Sequence, residues 1–213
     1  MIFESILIIG FAIILDLVVG DPRSKYHPTA WIGNFISNLV PLFKNENTSL
    51  EKFGGILIVL ISTTTVGGLL IVFNLKLDSI IGNELLTIIV TIVVGTILLK
   101  TTIAIRGMEK HALAVVEALE NDDINEARTN LAMITKRKTK DLDKNHVLSG
   151  VLESISENTV DGVTGPLFYF ALFGLPGAFV YRVINTIDSM TVSYTHLTLP
   201  TSDQCRSRWS PYH

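Results

Sequence analysis

Residues 165–190, "GPLFYFALFGLPGAFVYRVINTIDSM", decide how this chain folds. The run is apolar but is broken at its centre by "GLPG" (174–177). Phe168 to Phe173 with a few neighbours supports only about 12–15 Å of helix, too short to cross a hydrocarbon core of roughly 30 Å. Two readings follow. A single kinked span would carry Asn185 and Asp188 to the far side of the membrane. A re-entrant hairpin turning at Gly174–Gly177 would return them to the side of entry. Non-helical backbone at membrane depth survives only where protein or water satisfies its polar groups, so a hairpin has to be buried in a bundle. We favour the hairpin.

The rest of the chain supports a membrane setting. Its 213 residues are 48% apolar and 17% charged, with a mean hydropathy of +0.44. The apolar residues are bunched rather than spread. Residues 53–73 carry no charge over 21 positions, long enough to span. Residues 85–99 are equally clean and reach full length as a span over about 80–99, with Glu84 at the rim. Residues 2–19 form a further apolar stretch, interrupted by Glu4 and Asp16. That stretch lacks a basic n-region and a small-x-small cleavage site, so it reads as a retained membrane helix. The single cysteine, Cys205, excludes an internal disulfide. A net charge of −3 says little about partners, and no nucleic acid is expected.

Lys and Arg number four in residues 21–52, one in 74–84 and nine in 100–164. Basic residues favour the cytoplasmic side, so the first and third connections face the cytoplasm and the N-terminus faces out. The third connection is patterned as helices. Ile105, Met108, Ala112, Val115, Val116 and Leu119 recur at three and four. Asp123 and Glu126 resemble a capping box opening a second stripe of Ile124, Ala127, Leu131 and Ile134. A third helix is expected from about His146 to Asp161, with Val147, Val151, Ile155, Leu148 and Leu152 inward. The expected fold is all-α: a polytopic integral membrane protein with a cytoplasmic helical subdomain (100–164) and a broken or re-entrant apolar hairpin. Residues 1–190 form one membrane domain. Residues 191–213 shift abruptly to Ser, Thr, Pro and Arg and resemble translated sequencing-adapter read-through, so they read as a non-native tail.

Three polar clusters lie beside the apolar runs. In "LDLVVGDPRSKYHPTAWIG" (15–33), Asp16 sits inside the first span. A carboxylate at the centre of a membrane helix costs roughly 2.5–3.5 kcal/mol, so a basic partner, water or a cation should offset it, unless Asp16 is a hydrated rim group. Asp21, Arg23, Lys25 and His27 fall within seven residues and suit an anion or metal–phosphate; Asp21 before Pro22 also reads as a plain turn former. In the second cluster Glu153, Glu157 and Asp161 are spaced by four and share a helix face flanked by Ser154 and Asn158. Stacked carboxylates suit Mg²⁺, which takes oxygen ligands; composition alone reads them as a solvated helix end. The third cluster is Arg182, Asn185 and Asp188, functional by default beside an apolar hairpin, or else an Arg182–Asp188 interfacial pair. The sequence contains no G-x-x-x-x-G-K-[ST], no G-x-G-x-x-G after a strand, no HExxH and no CxxC.

"LDLVVGDPRSKYHPTAWIG" followed by "ESISENTVDGVTGPLFYFALFGLPGAFVYRVINTIDSM" resembles the CbiB/CobD family of cobalamin biosynthesis, adenosylcobinamide-phosphate synthase. "NDDINEARTNLAMI" (121–134) fits as well, and the resemblance covers residues 1–190. Many relatives carry Gly-Arg-Asp-Thr where this chain has "KRKT" (136–139), and family members continue past the Asp-Ser-Met motif. The resemblance implies an ATP- and Mg²⁺-dependent amide-forming ligase of the cell membrane. It would join aminopropanol, or its phosphate, to the free propionate of cobyric acid, a corrinoid, beside other cobalamin-pathway enzymes. A carboxylate is a poor acyl donor and must be activated, an acyl phosphate being the form that Mg²⁺ and basic groups favour. On this reading Glu157 and Asp161 hold Mg²⁺. Asn158, Asn185 and Asp188 orient phosphate or amine. Asp21 and His27 complete the site or act as base, and Arg23, Lys25 and Arg182 meet phosphate charge. Rival readings are a membrane transporter of a small anionic substrate, a membrane phosphotransferase acting on an alcohol, and a structural membrane subunit.

Overall fold

The computed structural model describes residues 2–20, 27–44, 47–135 and 138–191, and among them every regular element is helical. The elements are α1 (Ile2–Val19), α2 (Pro28–Phe43), α3 (Thr48–Ile81), α4 (Glu84–Lys100), α5 (Ile105–Glu120), α6 (Ile124–Leu131), α7 (Lys144–Thr159), a π-turn (Val160–Thr164) and α8 (Gly165–Thr191). By length and composition four helical stretches could cross a membrane: 2–19, 49–81, 84–120 and 144–190. The protein is an all-α membrane protein.

The last of these stretches does not run straight. Gly174 has φ 66° and ψ −157°, a conformation that side chains with a Cβ rarely adopt, and Pro176 follows as a helix-starting residue. The chain therefore doubles back. A Cβ built on Gly177 would lie 2.3 Å from the carbonyl oxygen of Tyr169 and 2.7 Å from Cβ of Phe173. In a straight helix residues 169 and 177 would be about 12 Å apart. Gly177 thus seals the hairpin by letting the two limbs touch. The apolar side chains of the turn and returning limb (Leu175, Ala178, Phe179, Val183, Ile187) enter the main core beside Ile8, Ala12, Ile58, Leu99 and Ile103. That burial is what a re-entrant segment requires.

Three departures from the sequence expectations have local causes. Residues 21–52 are not only a polar connection, because α2 lies within them. His27 caps it and Pro28 opens it. Ile32 and Ile36 pack into the core while Trp31 stays 56% exposed. Second, α3 runs unbroken to Ile81, so α4 begins at Glu84 and not near Ile80; Gly82 at φ 64° and the Asn83 cap, accepting from Leu86 N–H at 3.1 Å, fix that boundary. Third, Leu148 and Leu152 of α7 are exposed.

The segment after α4 has its own core of Ala112, Val115, Ala118, Leu119, Ala127, Leu131, Val147 and Val151, with Ile124, Ile134 and Ile155 packed against it. Asp123 caps α6 as its sequence suggests, accepting from the backbone N–H of Asn125 and Glu126 at 3.1 and 2.9 Å.

Candidate functional site at the π-turn

Asp16, the π-turn and the returning limb of the hairpin are linked by a chain of contacts. Asp16, fully buried at the end of α1, accepts through Oδ2 from the backbone N–H groups of Ile105 and Arg106 at 2.9 and 3.1 Å. A carboxylate from one helix thereby satisfies the orphan donors that open another. Its Oδ1 lies 3.4 Å from Nζ of Lys100, itself 4% exposed. Lys100 also donates to the Gly20 carbonyl, and Arg106 donates to the carbonyls of Leu17 and Val18. The basic partner that Asp16 needs is therefore Lys100.

One step along, Ala104 N–H donates to the Gly162 carbonyl at 3.1 Å, joining the start of α5 to the π-turn. The local sequence explains the joint. In the π-turn Gly165 N–H reaches back five residues to the Val160 carbonyl. Pro166 follows and has no N–H, so it brings no donor to the carbonyls four and five residues behind it, those of Gly162 and Asp161. Both find partners elsewhere: Gly162 from Ala104, and Asp161 from Nη1 of Arg182 at 3.4 Å.

The returning limb of the hairpin completes the group. Tyr181 donates its hydroxyl to Oδ1 of Asp161 at 3.4 Å, and Asn185, one turn on, reaches the same hydroxyl. The Tyr181 ring stacks on Tyr169 with centroids 5.1 Å apart. It sits so close to Gly165 that a Cβ there would come within 2.2 Å of its Cζ. Beyond Asn185 the limb passes α2, where Thr186 meets Gly33. A cavity of about 630 Å³ opens beside it between α3 and the hairpin, lined in part by Thr63, Thr64, Tyr169, Phe173 and Tyr181.

Asp161, Arg182 and Asn185 are thus brought together by the hairpin. Glu157 is exposed one turn before Asp161. Asp188 is exposed on the helix face that carries Tyr181 and Asn185. Asn158 is exposed and turns its amide back to the Ser154 carbonyl at 2.8 Å. His27 uses Nδ1 to accept from Thr29 N–H at 3.3 Å, as the cap of α2. A neutral ring accepting at Nδ1 carries its hydrogen on Nε2. Asp21, Arg23 and Lys25 lie outside the described residues.

Among the described residues no three His, Cys, Asp or Glu side chains group closely enough to hold a metal. Glu157 and Asp161 suit a divalent ion in another way. Mg²⁺ keeps several waters and is commonly held by one or two carboxylates together with substrate phosphates. Two exposed carboxylates one helical turn apart fit that donor set. Sequence reasoning missed Tyr181, Lys100 and Arg106. Lys100 and Arg106 follow the third apolar span, whereas the carboxylate they surround lies in the first, so nothing local in the sequence linked them.

The family model described as CobD/Cbib protein matches residues 9–197. The chain belongs to the CobD/CbiB family. Among the relatives it resembles is the probable cobalamin biosynthesis protein CobD of Methanocaldococcus jannaschii, 38% identical over 187 residues, covering 86% of this chain and 59% of the relative. The corresponding Thermoplasma volcanium protein is 37% identical over 187 residues, covering 87% and 58%. The cobalamin biosynthesis protein CobD of Clostridium perfringens is 35% identical over 188 residues, covering 86% and 56%. The chain therefore spans less than two thirds of the length of these relatives. No solved structure matches it.

Proposed function

We propose that this CobD/CbiB chain belongs to a cobalamin-biosynthetic ligase. The enzyme acts on a corrinoid and joins aminopropanol or its phosphate through an amide to the free propionate of cobyric acid, using ATP and Mg²⁺ at the cytoplasmic face of the cell membrane. The observation that carries this reading is the fold-back of the hairpin. It brings Arg182 and Tyr181 to Asp161, with Asn185 against the Tyr181 hydroxyl, a polar group that would suit water-soluble substrates.

The chemistry needs few protein groups. A bound divalent ion would supply charge neutralisation at phosphate oxygens. Glu157 and Asp161 would hold it, and Arg182 would add a fixed positive charge. Asn185 and Asp188 would orient the amine: an amide side chain can donate to a phosphate or hydroxyl, and a carboxylate can pair with an ammonium. The propionate carboxylate takes the γ-phosphoryl group of ATP and ADP leaves; the amine, having lost its ammonium proton to solvent, forms its bond to the carboxyl carbon as the oxygen departs with phosphate, which takes up the second proton.

The test is complementation of a strain unable to make cobinamide. The full-length gene should restore growth, and Glu157→Gln and Asp161→Asn should not. Growth unchanged with both variants would remove the assignment of these carboxylates. Cysteine labelling of Asn185→Cys in intact and permeabilised cells checks sidedness, with modification expected only after permeabilisation.

A further inference from the structure

The Tyr181 side chain is engaged on three sides, and no role in the chemistry above uses it. Its ring lies on Tyr169 of the outgoing limb, 22° from parallel. Its edge occupies the space left by the missing side chain of Gly165. Its hydroxyl reaches Asp161 in the π-turn. The ring is thus fixed by packing, while the hydroxyl alone touches the exposed carboxylate. An exposed Asp side chain otherwise rotates among several rotamers, and ligand groups act best when a supporting shell holds them.

We infer that Tyr181 is a positioning residue. Its phenol fixes one oxygen of Asp161 and leaves the other directed to a divalent cation. The inference rests on the reading of Asp161 as a cation ligand. Tyr181→Phe keeps the ring in its slot and removes the contacts of the hydroxyl with Asp161 and Asn185, so fold and positioning separate.

The experiment uses the full-length protein in liposomes, with Mn²⁺ as the paramagnetic probe and binding followed by electron paramagnetic resonance. Tyr181→Phe should weaken Mn²⁺ binding about fivefold, the scale of one hydrogen bond, with the thermal unfolding temperature unchanged. Asp161→Asn should abolish the same binding. Mn²⁺ affinity unchanged in Tyr181→Phe but lost in Asp161→Asn would overturn the role of Tyr181 while sparing Asp161. Unchanged affinity in Asp161→Asn would overturn both. A fall in unfolding temperature with affinity intact would make Tyr181 a packing residue only.

Discussion

At the end of α1, Asp16 is fully buried and held by two backbone N–H groups and Lys100. At the π-turn, Asp161 is exposed and held by one tyrosine hydroxyl at 3.4 Å. Both carboxylates stand at the boundary of an apolar helix, and both are neighbours of the same short segment, 104–106, one directly and one through the Gly162 carbonyl. Their surroundings separate their roles. A buried charge has to be met by protein groups: Oδ2 of Asp16 takes two hydrogen bonds, and Oδ1, without a hydrogen bond, faces the Lys100 ammonium. An exposed carboxylate with lone pairs to spare is free to take a ligand. The first joint holds α1, α4 and α5 together, whereas the second is loose enough to exchange partners.

Removing one side of the buried joint should give the largest effect. Asp16→Leu leaves Lys100 buried without its carboxylate and should cost about 3–5 kcal/mol, read from denaturant unfolding in detergent. Asp16→Leu combined with Lys100→Met should recover part of that loss, and a double variant worse than the single would break the contrast. Asp161→Asn should do the opposite. Activity should fall by roughly two orders of magnitude, while stability changes by less than about 0.5 kcal/mol, as for other surface substitutions. A large unfolding effect would make Asp161 another structural lock. Gly177→Ala tests the hairpin that unites the second cluster. With only 2.3 Å to the Tyr169 carbonyl, it should cost about 1–3 kcal/mol through overpacking and lower activity as Tyr181 withdraws from Asp161.

The smallest effect belongs to Asp143, far from either cluster, which caps α7 by accepting from His146 N–H at 2.9 Å. That backbone hydrogen bond and the His146 side chain hold its carboxyl below the ordinary value of 3.8. A depressed carboxyl stabilises the fold above its unfolded pKa, and the contribution fades as pH falls through the lowered folded value. Protection of the amides in the first turn of α7, relative to unstructured chain at the same pH, should therefore fall below about pH 4 in the parent, and Asp143→Ala should remove that fall.

Much of this contrast was legible in the residues. The hydrophobic spans, the Asp123 cap and the inward set Val147, Val151 and Ile155 follow from length, capping chemistry and period. The inward placement of Leu148 and Leu152 did not hold, because α7 is apolar on two faces and periodicity cannot choose between them. Helix α2 escaped notice because its polar neighbours outweighed a modest apolar stripe. Both hairpin and kinked span were compatible with "GLPG", since one glycine conformation separates them. The partner of Asp16 stayed hidden because it lies 84 positions away, and long-range pairing leaves no local pattern. Asp161 and Arg182 were each visible as polar groups beside an apolar run, but their meeting depends on the fold-back.

The π-turn between α7 and the hairpin makes room for one residue more than an ordinary helical turn holds. Deleting one residue from 160–164 would let the backbone relax into an ordinary helix, which by itself is a gain in regularity. What would go is the bulge, where Asp161 and Gly162 offer their carbonyls to Arg182 and Ala104. A shorter, smoother helix at this point would be better formed and chemically mute.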